Sequence, residues 1–373
     1  MQPWCEQQTE LTAAVEAFMR AEDVREGDFE KLAVALVKLQ CHTIPVVGRL
    51  AARQGWLATD PPPIWQWPAV PAQAYKHLDL YSRERPPKCI FTSSGTTAGS
   101  VLSRAPYSSE GLKLMDVSIE VNARRMLFGH GRFSRLMVMA PTPELAPGMI
   151  MAYGMQRLVQ QFGLEGSQFL IGRDGFQLHT IIAQLEACEQ GVVPYTWVGG
   201  SVAFARLLLT LEAQGRHFQL PPETRWMDAG GFKGRIEGLS LESYHEKLWI
   251  SLGISPAQRV NLLGMTELPS QLYADTVAAQ DEARSPLRGK RVPFWMRTYV
   301  LDPLTMMPTA TGEPGLLLHY DLCNVERPFG VLTEDIGVAF ADGSVEILGR
   351  AEGAALRGCA LQLEQLTQPE GRG

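Results

Sequence analysis

The sequence predicts an α/β fold, with parallel sheets flanked by helices through most of the chain and a β-rich part at its C-terminal end. Two observations predict it. From Lys88 onward, short apolar runs at 89–91, 136–140, 168–171, 192–198 and 260–263 alternate with helical patterns near 109–127, 149–162, 176–189 and 202–214, the alternation of strand and helix that builds a parallel sheet covered on its faces. After residue 290 the pattern changes to strands at 295–301, 315–320 and 344–348 separated by Gly and Pro turns.

The first fifty or so residues read as helices. Asp28 is placed to cap a segment whose Phe29, Leu32, Ala33, Leu36, Val37 and Leu39 form one stripe, and Gly55 follows the next stretch. The run Asp60-Pro-Pro-Pro-Ile-Trp-Gln-Trp-Pro68, with Pro71 after it, cannot continue a helix, because proline lacks the amide donor and clashes with the preceding turn. It is expected to be a loop or linker. The polar end, Thr367-Gln-Pro-Glu-Gly-Arg-Gly373, is expected to fray.

Composition narrows the function. The 373 residues are 45% hydrophobic and 20% charged, values of an ordinary globular enzyme. A net charge of -6 with scattered Arg and Lys repels a phosphate backbone, so nucleic acid is not an expected partner. The cluster Arg288-Gly-Lys290-Arg291 reads as a solvated loop. Neither a signal-like N-terminus nor a membrane-length apolar run is present, which makes the cytoplasm the expected location and a membrane an unexpected partner. The six cysteines contain no Cys-x-x-Cys pair, and no histidine completes a zinc spacing with them. No Gly-x-Gly-x-x-Gly follows an early strand and no Gly-x-Ser-x-Gly elbow occurs, which disfavours nicotinamide dehydrogenases and hydrolases.

Several segments offer chemistry. Thr92-Ser-Ser-Gly-Thr-Thr-Ala-Gly-Ser100 follows a strand-like Cys-Ile-Phe; its glycines allow backbone amides to approach a ligand, and Ser93, Ser94, Thr96 and Thr97 beside Gly95 can donate to phosphate oxygens. A plain flexible loop fits the same composition, and the Gly-Lys-Ser/Thr ending of a Walker loop is missing. In Asn261-Leu-Leu-Gly-Met-Thr-Glu267, Thr266 and Glu267 stand on the turn leaving a strand, where a hydroxyl can reach phosphate and a carboxylate can hold Mg²⁺; a helix cap is the bland alternative. In Thr333-Glu-Asp-Ile-Gly337, Asp335 can accept from ribose hydroxyls, and Arg350 can donate to ribose or phosphate, although each segment also reads as a surface turn.

Their order is what discriminates. The set resembles the adenylate-forming superfamily of acyl-CoA synthetases, luciferases and peptide-synthetase adenylation domains. The Ser/Thr/Gly loop resembles its phosphate loop, and Asp228-Ala-Gly-Gly231, with Gly230 and Gly231, its adenine-facing loop. Gly264-Met-Thr-Glu267 resembles its Thr-Glu motif, Thr333-Glu-Asp335 its ribose-binding aspartate, and Gly349-Arg350 its hinge approach. The length and a Gly-Cys-x-Leu sequence at Gly358-Cys359 narrow this to a resemblance with the short acyl-protein synthetases of bacterial bioluminescence; a phenazine-pathway adenylating protein of D-alanylgriseoluteic acid biosynthesis is similar as well.

The resemblance implies a helical N-terminal region and linker at 1–87, an adenylate-forming core at 88–348 and a hinge-like remnant and tail at 349–373. It implies ATP and Mg²⁺ as cofactors and an organic carboxylate as substrate, aromatic or polycyclic on the phenazine resemblance alone. It also implies a partner acyl reductase; an assembly of identical chains is compatible with this reading. Glu267 would hold the metal, Thr266 the α-phosphate, and Cys359 would carry the acyl group, unless it is a small buried packing residue. Two departures stand out. The phosphate loop lacks the common Pro-Lys-Gly ending, leaving Ser103 and Arg104 as the nearest polar groups, and the chain stops soon after Arg350, so the superfamily's C-terminal domain is expected to be absent and transfer to CoA is not expected. A fatty-acyl-protein synthetase and a non-catalytic adenylate-binding scaffold remain the alternatives.

Overall fold

A computed structural model describes residues 3–25, 27–56, 61–93, 101–129, 131–191, 193–231, 236 and 239–351. The chain divides into two compact units, one made of 1–118, 265–270 and 291–373, the other of 119–264 and 271–290.

The second unit carries the parallel sheet. Its strands run in the order Arg259–Met265, Arg225–Ala229, Tyr195–Gly200, Arg135–Met139, Gln168–Phe169, each pairing parallel to the next. The helices Leu178–Glu189, Ser201–Ala213 and Leu241–Leu252 bury Ile181, Leu185, Phe204, Leu208, Leu248 and Leu252 in one core with Met137, Trp197 and Trp226 of the strands. Strands buried on both faces read as continuous apolar runs, which is why most of them were visible in the sequence. Helix Leu241–Leu252 was not expected. Its start is fixed by a capping box, in which the Ser240 hydroxyl accepts from the Ser243 amide and Ser243 answers to the Ser240 amide.

The first unit opens on helices Pro3–Arg20, Asp28–Thr43 and Pro45–Arg53. Asp28 lies inside the first turn of its helix, where it binds Lys31, and does not cap it; the N-cap is Gly27, whose φ of 85° is a left-handed conformation. Pro45 stops one helix and begins the next, since its missing amide costs nothing at a first helical position. Among the described residues no single helix is long and apolar enough to cross a membrane.

The Pro-rich segment is not linker throughout. Trp67 is buried, and Ala69–Pro71 pairs in parallel with Gly330 to Leu332. A side chain at Gly330 would stand 2.6 Å from the Pro68 carbonyl, so that pairing requires a glycine. Gly330 begins the strand Gly330–Ala339, which lies in an antiparallel sheet with Met296–Leu301, Pro314–Asp321 and Ser344–Arg350. Thr333-Glu-Asp335 therefore sits within a strand, not on the surface turn that its acidic pair suggested, and Ser344–Arg350 runs on through Gly349 and Arg350.

His319, on the strand Pro314–Asp321, has no exposed surface; its Nδ1 pairs with the Thr298 hydroxyl at 2.8 Å and, among the described residues, its Nε2 has no hydrogen-bond partner. Burial pushes its pKa down to about 4. Between the unfolded value of about 6.5 and 4, the unfolded chain takes up a proton that the native chain refuses, so stability falls as pH drops through that window by about 3 kcal/mol. His319→Asn, which keeps an acceptor for Thr298, is expected to lose about that much less than the parent chain between pH 6.5 and 4 in urea unfolding. Parallel pH curves for the two proteins would remove His319 from the acid response.

Candidate active site

Thr266 and Glu267 form a tight turn between the strands Arg259–Met265 and Leu268–Ala274, and both are buried. The turn is anchored by its neighbours in the first unit. Asn324 Nδ2 donates to the Glu267 carbonyl at 3.1 Å, and Arg327 Nη2 holds the Asn324 carboxamide oxygen at 3.0 Å. Three bonds further along, Asp321 accepts from the Ser270 amide at 3.0 Å, the Ser270 hydroxyl at 2.9 Å and the Cys323 amide at 3.0 Å.

Burial raises the pKa of the Glu267 carboxyl; its own backbone amide, the Ser103 hydroxyl and the Arg350 guanidinium partly offset this, while Asp335 adds to it. Asp335 is likewise raised by burial and pulled back by Arg350. Arg350 Nε lies 3.3 Å from Asp335 Oδ1 and its Nη1 lies 3.4 Å from Glu334 Oε2, with the arginine side chain 72% exposed. Ser93 stands at the end of strand Cys89–Thr92, where its amide donates to the Ser103 carbonyl. The first unit thus gathers Ser103, Glu267, Asp335 and Arg350 into one electrostatic neighbourhood, with Ser93 at its loop. Ser94, Gly95, Thr96, Thr97 and Cys359 lie outside the described residues.

Among the described residues no group of three His, Cys, Asp or Glu could hold a metal ion. A single buried carboxylate fits Mg²⁺, which takes one or two carboxylates and completes its shell with water and phosphate oxygens. It does not fit a metal that needs an all-protein cage.

In the second unit, Gly230 and Gly231 follow the strand Arg225–Ala229, at the carboxyl end where open α/β sheets present their ligand-binding loops. Gly230 has φ of 77°, and among the described residues nothing stands within 4 Å of where a side chain would point from either glycine. Asp228 belongs to the strand and not to the loop. It is fully buried, and Arg259 grips it with a two-pronged contact, Nε to Oδ2 at 2.6 Å and Nη2 to Oδ1 at 2.8 Å. Tyr244 donates to Oδ2 at 3.1 Å, and Asn261 Nδ2 donates to Oδ1. Asn261 and Ser201 then donate to the Gly230 carbonyl at 3.2 and 2.8 Å, which ties the glycine loop to the ion pair. Arg259 Nη1 also reaches His245 Nε2 at 2.8 Å, and burial together with that guanidinium lowers the histidine pKa.

Sequence reasoning did not find the partnership of Asp228 with Arg259, nor the roles of Asp321 and Asn324. One signal was available: a charge at the end of the apolar strand run Trp226-Met-Asp228 has to be paired if it is buried. Asp228→Ala leaves the Arg259 guanidinium, 14% exposed, without its carboxylate. It is expected to cost about 3–5 kcal/mol, the usual cost of breaking a buried pair from one side. Denaturant unfolding measures this, and a loss under about 1 kcal/mol would show that the pair contributes no more than a surface contact.

The family model described as "Acyl-protein synthetase, LuxE" matches residues 65–367. The chain is 25% identical over 284 residues to a "Long-chain-fatty-acid--luciferin-component ligase" of Vibrio harveyi, covering 74% of this chain and 71% of the relative. It is 33% identical over 107 residues to the protein of the same description from Aliivibrio fischeri, covering 26% and 27%. Among solved structures, it is similar to 2-hydroxyisobutyryl-CoA ligase in complex with 2-HIB-AMP and CoA, with a TM-score of 0.60, 14% identity, and coverage of 88% of this chain and 76% of that one. It spans about half of ATP-bound MatB from Rhodopseudomonas palustris, 49% of that chain at 18% identity and a TM-score of 0.46. With a family match that extends over most of its length, the chain belongs to the acyl-protein synthetase, LuxE, family and has the mixed α/β fold of the adenylate-forming ligases.

Proposed function

We propose that this adenylate-forming ligase activates a long-chain fatty acid with ATP and Mg²⁺ as the acyl-adenylate, and that the acyl group then passes through Cys359 to a partner reductase. The observation that carries the proposal is the buried Glu267 carboxylate on a pinned turn, in the electrostatic neighbourhood of Ser103, Asp335 and Arg350. A family of long-chain-fatty-acid ligases among the relatives favours an aliphatic acid over the aromatic one that the phenazine resemblance suggested.

In-line attack of a carboxylate oxygen on the α-phosphorus, with pyrophosphate leaving, requires positioning and charge compensation more than covalent help. Ser93, Ser94, Gly95, Thr96 and Thr97 would hold the β- and γ-phosphates, and Thr266 would face the α-phosphate. Gly230 and Gly231 would offer bare backbone to the base. Asp335 would accept from the ribose hydroxyls, with Arg350 free to turn from its carboxylate partners toward the nucleotide because its side chain is largely in solvent. Glu267 would hold Mg²⁺, which supplies compensation for the charge that gathers on the phosphates.

An acyl-adenylate is a reactive mixed anhydride and needs an acceptor. A thiol that becomes acylated releases AMP and retains the acyl group as a thioester, the form a reductase can convert to an aldehyde. That assignment makes Cys359→Ser separable from the first step.

ATP–pyrophosphate exchange across a panel of long-chain fatty acids and aromatic acids tests the reading. Exchange is expected with the fatty acids, and Glu267→Gln is expected to lower it about 100-fold with the circular dichroism spectrum unchanged, as for the loss of ~3 kcal/mol of charge compensation. Cys359→Ser should exchange normally yet lose the hydroxylamine-sensitive acyl label. Exchange supported only by aromatic acids would overturn the substrate class, and full exchange in Glu267→Gln would remove that residue from the site.

A further inference from the structure

Arg327 is a buried cation held by uncharged groups. It has no exposed surface, and its hydrogen-bond partners among the described residues are neutral: Nη1 donates to the Pro106 carbonyl at 2.9 Å and Nη2 to the Asn324 carboxamide oxygen at 3.0 Å. Its guanidinium also lies over the Tyr107 ring, 3.5 Å from the centroid. A charge in the interior is costly, and filling the same volume would be served at least as well by an apolar side chain. What the charge does to its partners is therefore the question.

A carboxamide can face either way, since its two ends are alike in shape, but an arginine carries donors and no acceptor. Facing Arg327, Asn324 must present its oxygen. Its Nδ2 is thereby turned to the other side, where it donates to the Glu267 carbonyl at 3.1 Å. Backbone bonds hold Asn324 in place for this, its amide donating to the Asp321 carbonyl at 3.0 Å and its carbonyl accepting from Gln40 Nε2 at 2.6 Å. The other end is fixed as well, because Pro106 lies on the strand Arg104–Tyr107, paired opposite Ile90. The relay from Pro106 through Arg327 and Asn324 to Glu267 runs entirely within the first unit.

We propose that Arg327 and Asn324 are positioning residues for the Glu267 carboxylate: Arg327 sets the direction of the Asn324 carboxamide, and Asn324 holds the Glu267 backbone so that its side chain meets the metal. This rests on the function proposed above. Asn324→Asp separates positioning from packing. It keeps the size of the side chain and turns the contact with Arg327 into an ion pair, yet it sets a second acceptor against the Glu267 carbonyl with no proton to share.

Mn²⁺ is the probe, titrated against protein and α,β-methylene-ATP with free metal read by electron paramagnetic resonance; nucleotide binding alone is measured calorimetrically in chelator, and stability by urea unfolding. Asn324→Asp is expected to keep the parent's urea midpoint while weakening Mn²⁺ binding in the ternary complex about tenfold, the order for a hydrogen bond lost with its acceptor left buried, and to leave nucleotide affinity in chelator unchanged. Asn324→Ala, which gives up both contacts, is expected to lose midpoint and metal affinity together. Parent-like Mn²⁺ affinity in Asn324→Asp would overturn the proposal. So would an Asn324→Asp protein that is destabilised as Asn324→Ala is, or that fails to fold, since the position would then be packing. A parent protein that binds no nucleotide would overturn the adenylation reading itself and this proposal with it; nucleotide binding with metal affinity indifferent to Asn324 overturns the proposal alone.

Discussion

Asp321 and Asn324 restrain the chain on either side of the Thr266–Glu267 turn within the first unit, and the candidate residues gathered there depend on that restraint. A carboxylate buried as fully as Asp321 is costly unless donors surround it, and burial does push its pKa upward. The Cys323 amide and the amide and hydroxyl of Ser270 offset that cost. Trp295 completes the arrangement by donating its indole N–H to the Ser270 hydroxyl at 2.9 Å. Because the donors come from both sides of the segment, Asp321 can be satisfied only when the chain just after Glu267 is in place.

The same segment explains why the N-terminal helices matter to a site they do not line. Gln40, buried on helix Asp28–Thr43, donates to the Asn324 and Arg327 carbonyls at 2.6 Å each and accepts from the Phe329 amide at 2.9 Å. One carboxamide thus closes the loop that carries Asn324. Glu326 does comparable service toward the hairpin of Cys89–Thr92 and Arg104–Tyr107, accepting from Gln8 at 3.1 Å and from the Ser108 amide at 3.1 Å. The second unit solves its own version of the problem with Asp228, which adds a buried ion pair with Arg259 to the neutral donors Tyr244 and Asn261, while Asn261 and Ser201 steady the glycine loop. In both units a buried carboxylate orders irregular backbone next to a strand end, where rigid elements would otherwise leave the loop undetermined.

The fold class was legible because it depends on local pattern. Apolar strand runs and 3.6-residue stripes survive in the sequence whatever the tertiary packing, and Thr266 and Glu267 could be singled out as candidates because they are contiguous. Asp28 was misplaced because a Gly in a left-handed conformation took the capping position and left the aspartate to bind Lys31. The Pro-rich segment hid a strand because pairing with Gly330 is decided by a residue far away in the chain. Thr333-Glu-Asp335 also read as a surface turn because adjacent carboxylates stand just before a glycine; Gln73 and Arg350 partner Glu334 within the strand, which no local rule reveals. The network of Asp321, Asn324, Gln40 and Arg327 was invisible for the same reason, its members being scattered across the first unit.

The account turns on a carboxylate attacking the α-phosphorus of ATP, and an oxygen label follows that bond directly. A long-chain fatty acid carrying ¹⁸O in its carboxyl group, incubated with ATP, Mg²⁺ and the protein, should yield AMP containing one ¹⁸O once the adenylate is cleaved at its acyl carbon. Mass spectrometry of the released nucleotide reads the result. Label in AMP is the outcome the site geometry predicts; unlabelled AMP, or ADP with the label in inorganic phosphate, would contradict it.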